Sequence, residues 1–308
     1  MGMEKKYDVA IVGAGPGGLT AAIYAGRAGF STVLLDRGVP GGQLVNTDEF
    51  ENYPGFKSIN GAELAERMFE HAMAFGATYQ YANVEKIVDH GEYKEIIAAD
   101  KSFHARAVIV ATGSRPNKLG VPGEKEFAGR GVSLCAVCDG AFFRDKVVAV
   151  VGGGNAAVEE AIFLAKLAKK VIVMHRRDEL RAVKVLQDRA FANKKIEFLF
   201  STVIKEVVGE ENVTGLMVED IKTGKERLIA ADGLFVYIGS QPITEMVADL
   251  GITNEYGHII TDETMATAVP GIYAAGDVRD KMLRQVVTAA GDGSIAAISA
   301  QQYLEGLK

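Results

Sequence analysis

Much is settled by what this chain does not contain. No apolar run in its 308 residues approaches the ~18 residues of a membrane-spanning helix, and the start MGMEKKYDVA has no signal-peptide character. The expected setting is therefore the cytoplasm, with no membrane partner. An excess of positive charge is missing too. The formal net charge is −6, which argues against nucleic acid as the main partner. Cysteine is scarce: Cys135 and Cys138 are the only two, and His71, His90, His104, His175 and His258 never fall into an H-x3–5-H pair. A structural zinc site needs four ligands, usually a second CxxC or a paired His/Cys set, so no metal is expected. Low-complexity tracts and long linkers are absent as well. What is left is an ordinary globular composition, 48% hydrophobic and 24% charged, long enough for about two domains.

Glycine is the residue in excess, with 35 of them, about 11% against a usual value of roughly 7%. They cluster after apolar runs, where tight strand-to-helix turns need them. Set against itself at an offset of 139 residues, the chain repeats. Residues 9–37, VAIVGAGPGGLTAAIYAGRAGFSTVLLDR, match residues 148–176, VAVVGGGNAAVEEAIFLAKLAKKVIVMHR. Each copy has a short β-branched run, a G-x-G-x-x-G/A turn, an alanine-rich helical stretch and a second β-branched run. That is the β-α-β context of a dinucleotide-binding fingerprint. Gly13 and Gly152 permit the turn, Gly15 and Gly154 let backbone amides approach a pyrophosphate, and Gly18 and Ala157 let helix and strand pack closely. The free N–H groups that open the following helix then face the phosphates.

The copies differ where an adenosine ribose would lie. In the first, the second strand ends at Asp36, 23 residues after Gly13, where a carboxylate can accept a hydrogen bond from a ribose 2′-OH. This copy suits an unphosphorylated adenosine, such as that of FAD or NAD. In the second copy the equivalent residue is His175, followed by Arg176, Arg177 and, a turn further on, Arg181. Guanidinium forks match phosphate oxygens, so HRRDELR reads as a receptor for the 2′-phosphate of NADPH; the plainer reading is a solvated basic turn.

Two further stretches mark domain crossings. AVIVATGSRP (107–116) and GLFVYIGSQP (233–242) are apolar strands that run into glycine and proline near the end of each nucleotide-binding half. GIYAAGDV (271–278) is another strand, closing on Gly276-Asp277 ahead of a long helical stretch. The expected fold class is α/β, with two Rossmann-like dinucleotide-binding domains of the three-layer ββα type. Residues 1–115 with 245–308 form the first domain, and residues 116–244 are inserted as the second.

The cysteines fall in SLCAVCDGAFF, ten residues ahead of the second β-α-β unit. A CxxC in a reducing compartment is more often catalytic or metal-binding than structural. With the other metal ligands missing, a redox pair is favoured over inert thiols. A CxxC disulfide closes a very small loop and is readily reduced when one thiol is stabilised as thiolate. Asp139 follows directly, as a candidate proton relay or as a turn former before Gly140. NADPH delivers hydride, which a disulfide accepts poorly, so an intermediary is needed; the first nucleotide site supplies it if it holds FAD. Electrons would then run from NADPH to flavin, to Cys135–Cys138, to an external disulfide.

Over essentially its whole length the sequence resembles the low-molecular-weight, bacterial-type thioredoxin reductases. The residues that carry the resemblance are GAGPGG, GGQLVNTDEFENYPG, ATGSRP, CAVCDG, GGGNAAVEEA, HRRDELR, GIYAAGDV and RQVVTAAGDG. The resemblance implies FAD held by Gly13, Gly15, Pro16 and Gly18, with Asp36 at the ribose and the Asp277 carboxylate at the ribityl chain. It places Gln43 and Asn52 near the flavin and Gln285 near its pyrimidine edge. NADPH is assigned to Gly152, Gly154, Asn155, Ala156, His175, Arg176, Arg177 and Arg181. Cys138 becomes the flavin-facing thiol, Cys135 the one that meets thioredoxin, and Asp139 the acid. The resemblance also implies a homodimer whose nucleotide domain rotates, with hinges near Ser114–Lys118 and Gln241–Thr244.

Two positions depart from the family pattern. Ala156 stands where Ser or Thr is usual, which removes one hydroxyl contact to the pyrophosphate, and Gly17 stands where Ala is common. Related functions stay in competition. A flavin disulfide reductase with another client, such as a peroxidase system or a small disulfide, would share most of these motifs, and a non-catalytic NADPH or redox sensor would keep the folds without turnover. A relative fed by ferredoxin would lack HRRDELR, and the peroxidase reductases carry an extra N-terminal domain with a second CxxC.

Overall fold

The β-branched run KYDVAIV forms the strand Lys6–Val12, and its side chains bury on both faces, as a central parallel strand must. In the computed structural model, which describes residues 6–47, 49–99 and 101–307, this strand lies between two parallel neighbours, Thr32–Asp36 and Ser102–Val110. Thr78–Tyr81 extends the sheet beyond Thr32–Asp36. Ile272–Ala274 pairs in parallel with the second half of Ser102–Val110, and the antiparallel hairpin Val84–Asp89/Lys94–Ala98 continues from its first half. One face of the sheet, with Val9, Ile11, Leu34 and Ile109, packs on the helices Pro16–Arg27, Gly61–Ala74 and Val286–Gly306. The other face, with Ala10, Val12, Val33 and Val108, is closed by Ile87 and Ile96 of the hairpin and by Met246 and Val247.

A second unit repeats the plan. The strands Val132–Ser133, Gly233–Tyr237, Val147–Gly152, Lys170–Met174 and Ile196–Leu199 form an all-parallel sheet in that order. Helices Asn155–Leu167 and Lys184–Ala192 lie against one face of it. The antiparallel meander Thr202–Gly209, Val213–Asp220, Lys225–Ala230 covers the other, through Ile204, Val207, Leu216 and Val218. Helices, parallel sheet and antiparallel layer recur in both units, so the fold class expected from the sequence is the one found: two Rossmann-like units of three layers.

By packing, one unit is Met1–Arg115 with Pro242–Lys308 and the other is Pro116–Gln241. The glycine–proline signal at 233–242 ends at the return crossing, whereas the expected domain range resumes only at residue 245. The crossing falls earlier because Ile243 is already bonded into the first unit: its N–H donates to Gly113 O (3.0 Å) and its carbonyl accepts from Thr112 Oγ1 (2.6 Å). Within the other unit, Asn117 N donates to Gly239 O (2.9 Å). No described helix is long and apolar enough to cross a membrane.

Candidate nucleotide and disulfide sites

In the first unit, strand Lys6–Val12 delivers the chain to Gly13, whose φ of +109° is left-handed and whose Cβ, if it had one, would run into the carbonyl of Ala111. A Cβ on Gly18 would strike Gly13 O, so helix and turn meet backbone to backbone. Gly15 is the N-cap of helix Pro16–Arg27 and Pro16 opens it, with no side chain capping the first-turn amides. Nothing lies within 4 Å of a Cβ built on Gly15. Open space therefore sits in front of the helix's unsatisfied N–H groups, the shape and charge that a pyrophosphate requires.

Asp36 braces that loop from the neighbouring strand. Its Oδ2 accepts from Ala14 N (2.6 Å) and its Oδ1 from Gly38 N (2.7 Å). The carboxylate is thereby oriented, and each oxygen keeps a lone pair for a ribose hydroxyl. Gly41 N donates to Ala14 O (2.7 Å), which ties the 3-10 turn Gly42–Asn46 to the same loop. Gln43 in that turn donates to Ser114 O (3.3 Å) and accepts from Asn46 Nδ2 (2.9 Å). Asn52 and Gln285, 233 residues apart in sequence, meet side chain to side chain at 3.1 Å. Gln285 caps helix Val286–Gly306 in a reciprocal box with Thr288. The turn Gly276–Val278 carries Asp277, and a Cβ on Gly276 would touch Ala289 at 3.5 Å. Burial holds the Asp277 carboxyl above the usual range, a tendency opposed by Lys281 and Arg284. Gly13, Gly15, Pro16, Gly18, Asp36, Gln43, Asn52, Asp277 and Gln285 thus all lie in the first unit. Their glycine cradle, uncapped helix and oriented carboxylate fit FAD.

The second unit builds its loop in the same way and edges it differently. Gly152 has φ +148°, and a Cβ there would collide with Tyr237 O. Gly154 caps helix Asn155–Leu167 without a side-chain bond and, like Gly15, has open space around it. Ala156, in the first turn, is exposed and brings no hydroxyl. The arginine segment is pinned to this loop: Gly153 O accepts from Arg181 N (2.7 Å) and Ala182 N (3.1 Å), and Asn155 Oδ1 accepts from Val183 N (2.8 Å). Asn155 therefore positions the segment as well as lining the helix start. Arg176, Arg177 and Arg181 are exposed, and none makes an ion pair among the described residues. Together they depress the pKa of His175, though burial does so more strongly. His175 itself is only 5% exposed and its ring lies directly under Gly153, so it supports the loop from below, while Arg176, Arg177 and Arg181 stay exposed. An uncapped helix start edged by unpaired arginines fits a phosphorylated dinucleotide.

Cys135 and Cys138 are joined as a disulfide, with Cα atoms 5.4 Å apart. Cys135 is the N-cap of the short helix Ala136–Asp139 and Cys138 lies within it, and Cys135 Sγ accepts from Cys138 N (3.1 Å). Cys138 is exposed and Cys135 half-buried. Two residues that sequence reasoning had not singled out hold this turn. Ser133 Oγ donates to Asp139 Oδ2 (2.6 Å) and accepts from Cys135 N (3.0 Å), which fixes the acid against the start of the dithiol turn. Tyr237 OH accepts from Ala136 N (2.8 Å). Burial, with Glu160 and Asp139 near by, pushes its phenol far above the ordinary range, so it stays protonated. Tyr237 is paired with Gly152 across the sheet, so a single residue touches both the disulfide turn and the glycine loop. A serine two residues before the first cysteine, and a polar-tipped aromatic where an apolar strand ends beside the loop, were the available sequence signals.

Two dinucleotide-binding units in one chain, one of them carrying a CxxC disulfide beside its nucleotide loop, define a nucleotide-linked disulfide oxidoreductase. Comparison with known proteins agrees. The sequence model of the pyridine nucleotide-disulphide oxidoreductases matches residues 7–293. A thioredoxin reductase of Bacillus subtilis is 54% identical over all of this chain and 98% of its own length. The crystal structure of the Lactococcus lactis thioredoxin reductase superposes with a TM-score of 0.96 at 48% identity, covering 97% of this chain and 99% of that one. That of T. acidophilum gives a TM-score of 0.94 at 38% identity, covering 99% and 100%. The chain belongs to the pyridine nucleotide-disulphide oxidoreductase family. FAD and NADPH are its cofactors, in keeping with the expectation from the two loops.

Proposed function

We propose that this protein is an NADPH-dependent thioredoxin reductase. The observation that carries the proposal is the Cys135–Cys138 disulfide braced by Ser133 and Tyr237 in the same unit as the arginine-edged loop. Bound FAD would accept hydride from NADPH and hand on two electrons, the chemistry that converts hydride to dithiol. Gly13, Gly15, Pro16, Gly18, Asp36, Gln43, Asn52, Asp277 and Gln285 would hold it. Gly152, Gly154, Asn155 and Ala156 would cradle the pyrophosphate of NADPH, Arg176, Arg177 and Arg181 would grip the 2′-phosphate, and His175 would support the loop.

Once reduced, the pair has two sulfurs with different tasks. The Cys135 sulfur receives the Cys138 amide, which favours its thiolate and suits it to attack. Attack on the client disulfide forms a mixed disulfide and expels one client thiolate. Cys138 then attacks the Cys135 sulfur, which restores the internal disulfide and frees the second client sulfur. Asp139, whose Oδ2 accepts from Ser133, would be the acid that passes a proton to the leaving sulfur. The balance is NADPH, a proton and thioredoxin disulfide giving NADP⁺ and thioredoxin dithiol. A cytoplasmic setting and a homodimer belong to the same proposal.

The test is NADPH-dependent reduction of thioredoxin, run beside NADH and small disulfides, with Cys138→Ser as the control. The wild-type protein should prefer NADPH and thioredoxin. The variant should still let NADPH bleach the flavin while thioredoxin reduction falls to background. Thioredoxin turnover that survives in the variant sinks the dithiol route, and turnover restricted to small disulfides points to another client.

A further inference from the structure

One buried charge cluster in the first unit has no part in the chemistry above. Asp292 lies two turns into helix Val286–Gly306, and its side chain is 11% exposed. Its Oδ1 pairs with Arg279 Nη1 (3.0 Å), and its Oδ2 pairs with Lys281 Nζ (2.7 Å) and accepts from Gly276 N (3.0 Å). The side chains of Arg279 and Lys281 are each 10% exposed. Arg279 also donates from Nε to Thr261 Oγ1 (2.8 Å), and its carbonyl accepts from Arg284 Nη2 (3.4 Å).

One carboxylate therefore stands against two buried cations. Taking such charges out of water is costly, and removal of the one carboxylate that pairs directly with both leaves Arg279 and Lys281 without an ion-pair partner, with Asp262 and Asp277 as the other anions near them. The three groups that Asp292 holds all belong to the segment between strand Ile272–Ala274 and helix Val286–Gly306. Gly276 begins that segment in a left-handed conformation (φ +81°), Asp277 follows it, and Gln285 ends it as the helix cap. A carboxylate gripping this segment at residues 276, 279 and 281 fixes where the Asp277 and Gln285 side chains stand.

We propose that Asp292 is the positioning residue of the flavin site: by accepting the Gly276 amide and neutralising Arg279 and Lys281, it holds Asp277 and Gln285 where FAD meets them. This rests on the reading of Asp277 and Gln285 as FAD contacts. The role is one of placement, since the buried Asp292 carboxylate is already engaged by all three partners.

The experiment titrates apoprotein with FAD, followed by flavin fluorescence, and titrates the second unit's site with adenosine 2′,5′-bisphosphate in the same full-length variants. Asp292→Asn should weaken FAD by about tenfold or more, because two buried cations lose the ion-pair partner they share and the Gly276 segment loses its anchor. Affinity for the bisphosphate should not change. Lys281→Met leaves Arg279 and Asp292 as a neutral pair but takes a cation from beside Asp277, so FAD affinity should fall by less than in Asp292→Asn. The double variant Lys281→Met, Asp292→Asn should bind FAD better than Asp292→Asn alone. FAD affinity unchanged in Asp292→Asn overturns the proposal, as does a double variant no better than the single one, or a parallel loss of bisphosphate binding. If Asp292→Asn does not accumulate as folded protein, Asp292→Glu serves instead. It keeps the charge but displaces the Gly276 contact, and unchanged FAD affinity there overturns the proposal too. Wild-type protein that takes up no FAD overturns the flavin assignment itself, a result distinct from all of these.

Discussion

Arg176, Arg177 and Arg181 show how much a single side chain's partners decide. An arginine already paired with a carboxylate has little to offer a ligand. These three have no such partner among the described residues, and the loop beneath them is fixed by Gly153 and Asn155. The double change Arg176→Ala, Arg177→Ala should therefore raise KM for NADPH by about tenfold or more, given about 1.5–3 kcal/mol for a charge-assisted hydrogen bond. KM for NADH should move little, since NADH has no 2′-phosphate. Steady-state kinetics with both nucleotides decides it, and equal effects on the two would remove the phosphate assignment. On the same proposal, Ala156 brings no hydroxyl to the helix start, so more of the grip on NADPH would fall to backbone amides and to the arginines.

At the scale of elements, two consequences follow from what lies beneath the second glycine loop. His175 is buried under Gly153, and burial, then the Arg181, Arg177 and Arg176 charges, keeps its pKa below the ordinary 6.5. The folded state thus resists a proton that the unfolded chain accepts readily. Its stabilising contribution is complete above about pH 6.5 and is lost as pH falls through that value toward the lower folded pKa. Thermal unfolding followed from pH 8 to about pH 5 should show this as an acid-side decline that His175→Phe flattens. Tyr237→Phe takes away the acceptor of the Ala136 amide where the disulfide helix begins. An unsatisfied amide costs about 1–3 kcal/mol, so the variant should be less stable by that order and slower in delivering electrons to thioredoxin, with NADPH affinity kept. A denaturant titration and thioredoxin kinetics measure the two effects. These elements also mark how far the sequence could be read. The glycine loops, Asp36, the arginines and the CxxC are local patterns, legible because a β-α-β turn places its functional atoms within a few residues of one another. Tyr237 and Asp292 act through partners reached by strand pairing or helix packing, such as Tyr237 beside Gly152 and Asp292 against Gly276. The Asn52–Gln285 contact joins residues 233 positions apart, and only the folded unit brings those side chains together.

The molecule as a whole is one fold interrupted by a copy of itself, and the cores keep to that division. Val9, Ile11, Leu34, Ile109 and Leu304 share one cluster, Val33, Val108, Ile96 and Met246 another, and every member of both belongs to the first unit. The clusters built on Val148, Val150, Leu164 and Phe235, and on Ile172, Ile204, Leu216 and Leu234, lie wholly within Pro116–Gln241. Both faces of that unit's parallel sheet are covered from within, by its own helices and its own meander. The segments that enter and leave it are bonded to each other by Asn117 N and Gly239 O, so its ends lie side by side. A unit with two closed cores and adjacent ends has what independent folding requires. Residues 116–241 produced alone should therefore unfold in a single cooperative transition, form the Cys135–Cys138 disulfide and bind adenosine 2′,5′-bisphosphate. They should take up no FAD, because Gly13, Asp36, Asp277 and Gln285 all lie in the other unit. Circular dichroism during heating and calorimetric titration of the two ligands provide the readout. FAD uptake by the excised piece would place the flavin on the wrong glycine loop, and failure to fold would mean that the inserted unit depends on the first for more than its attachment.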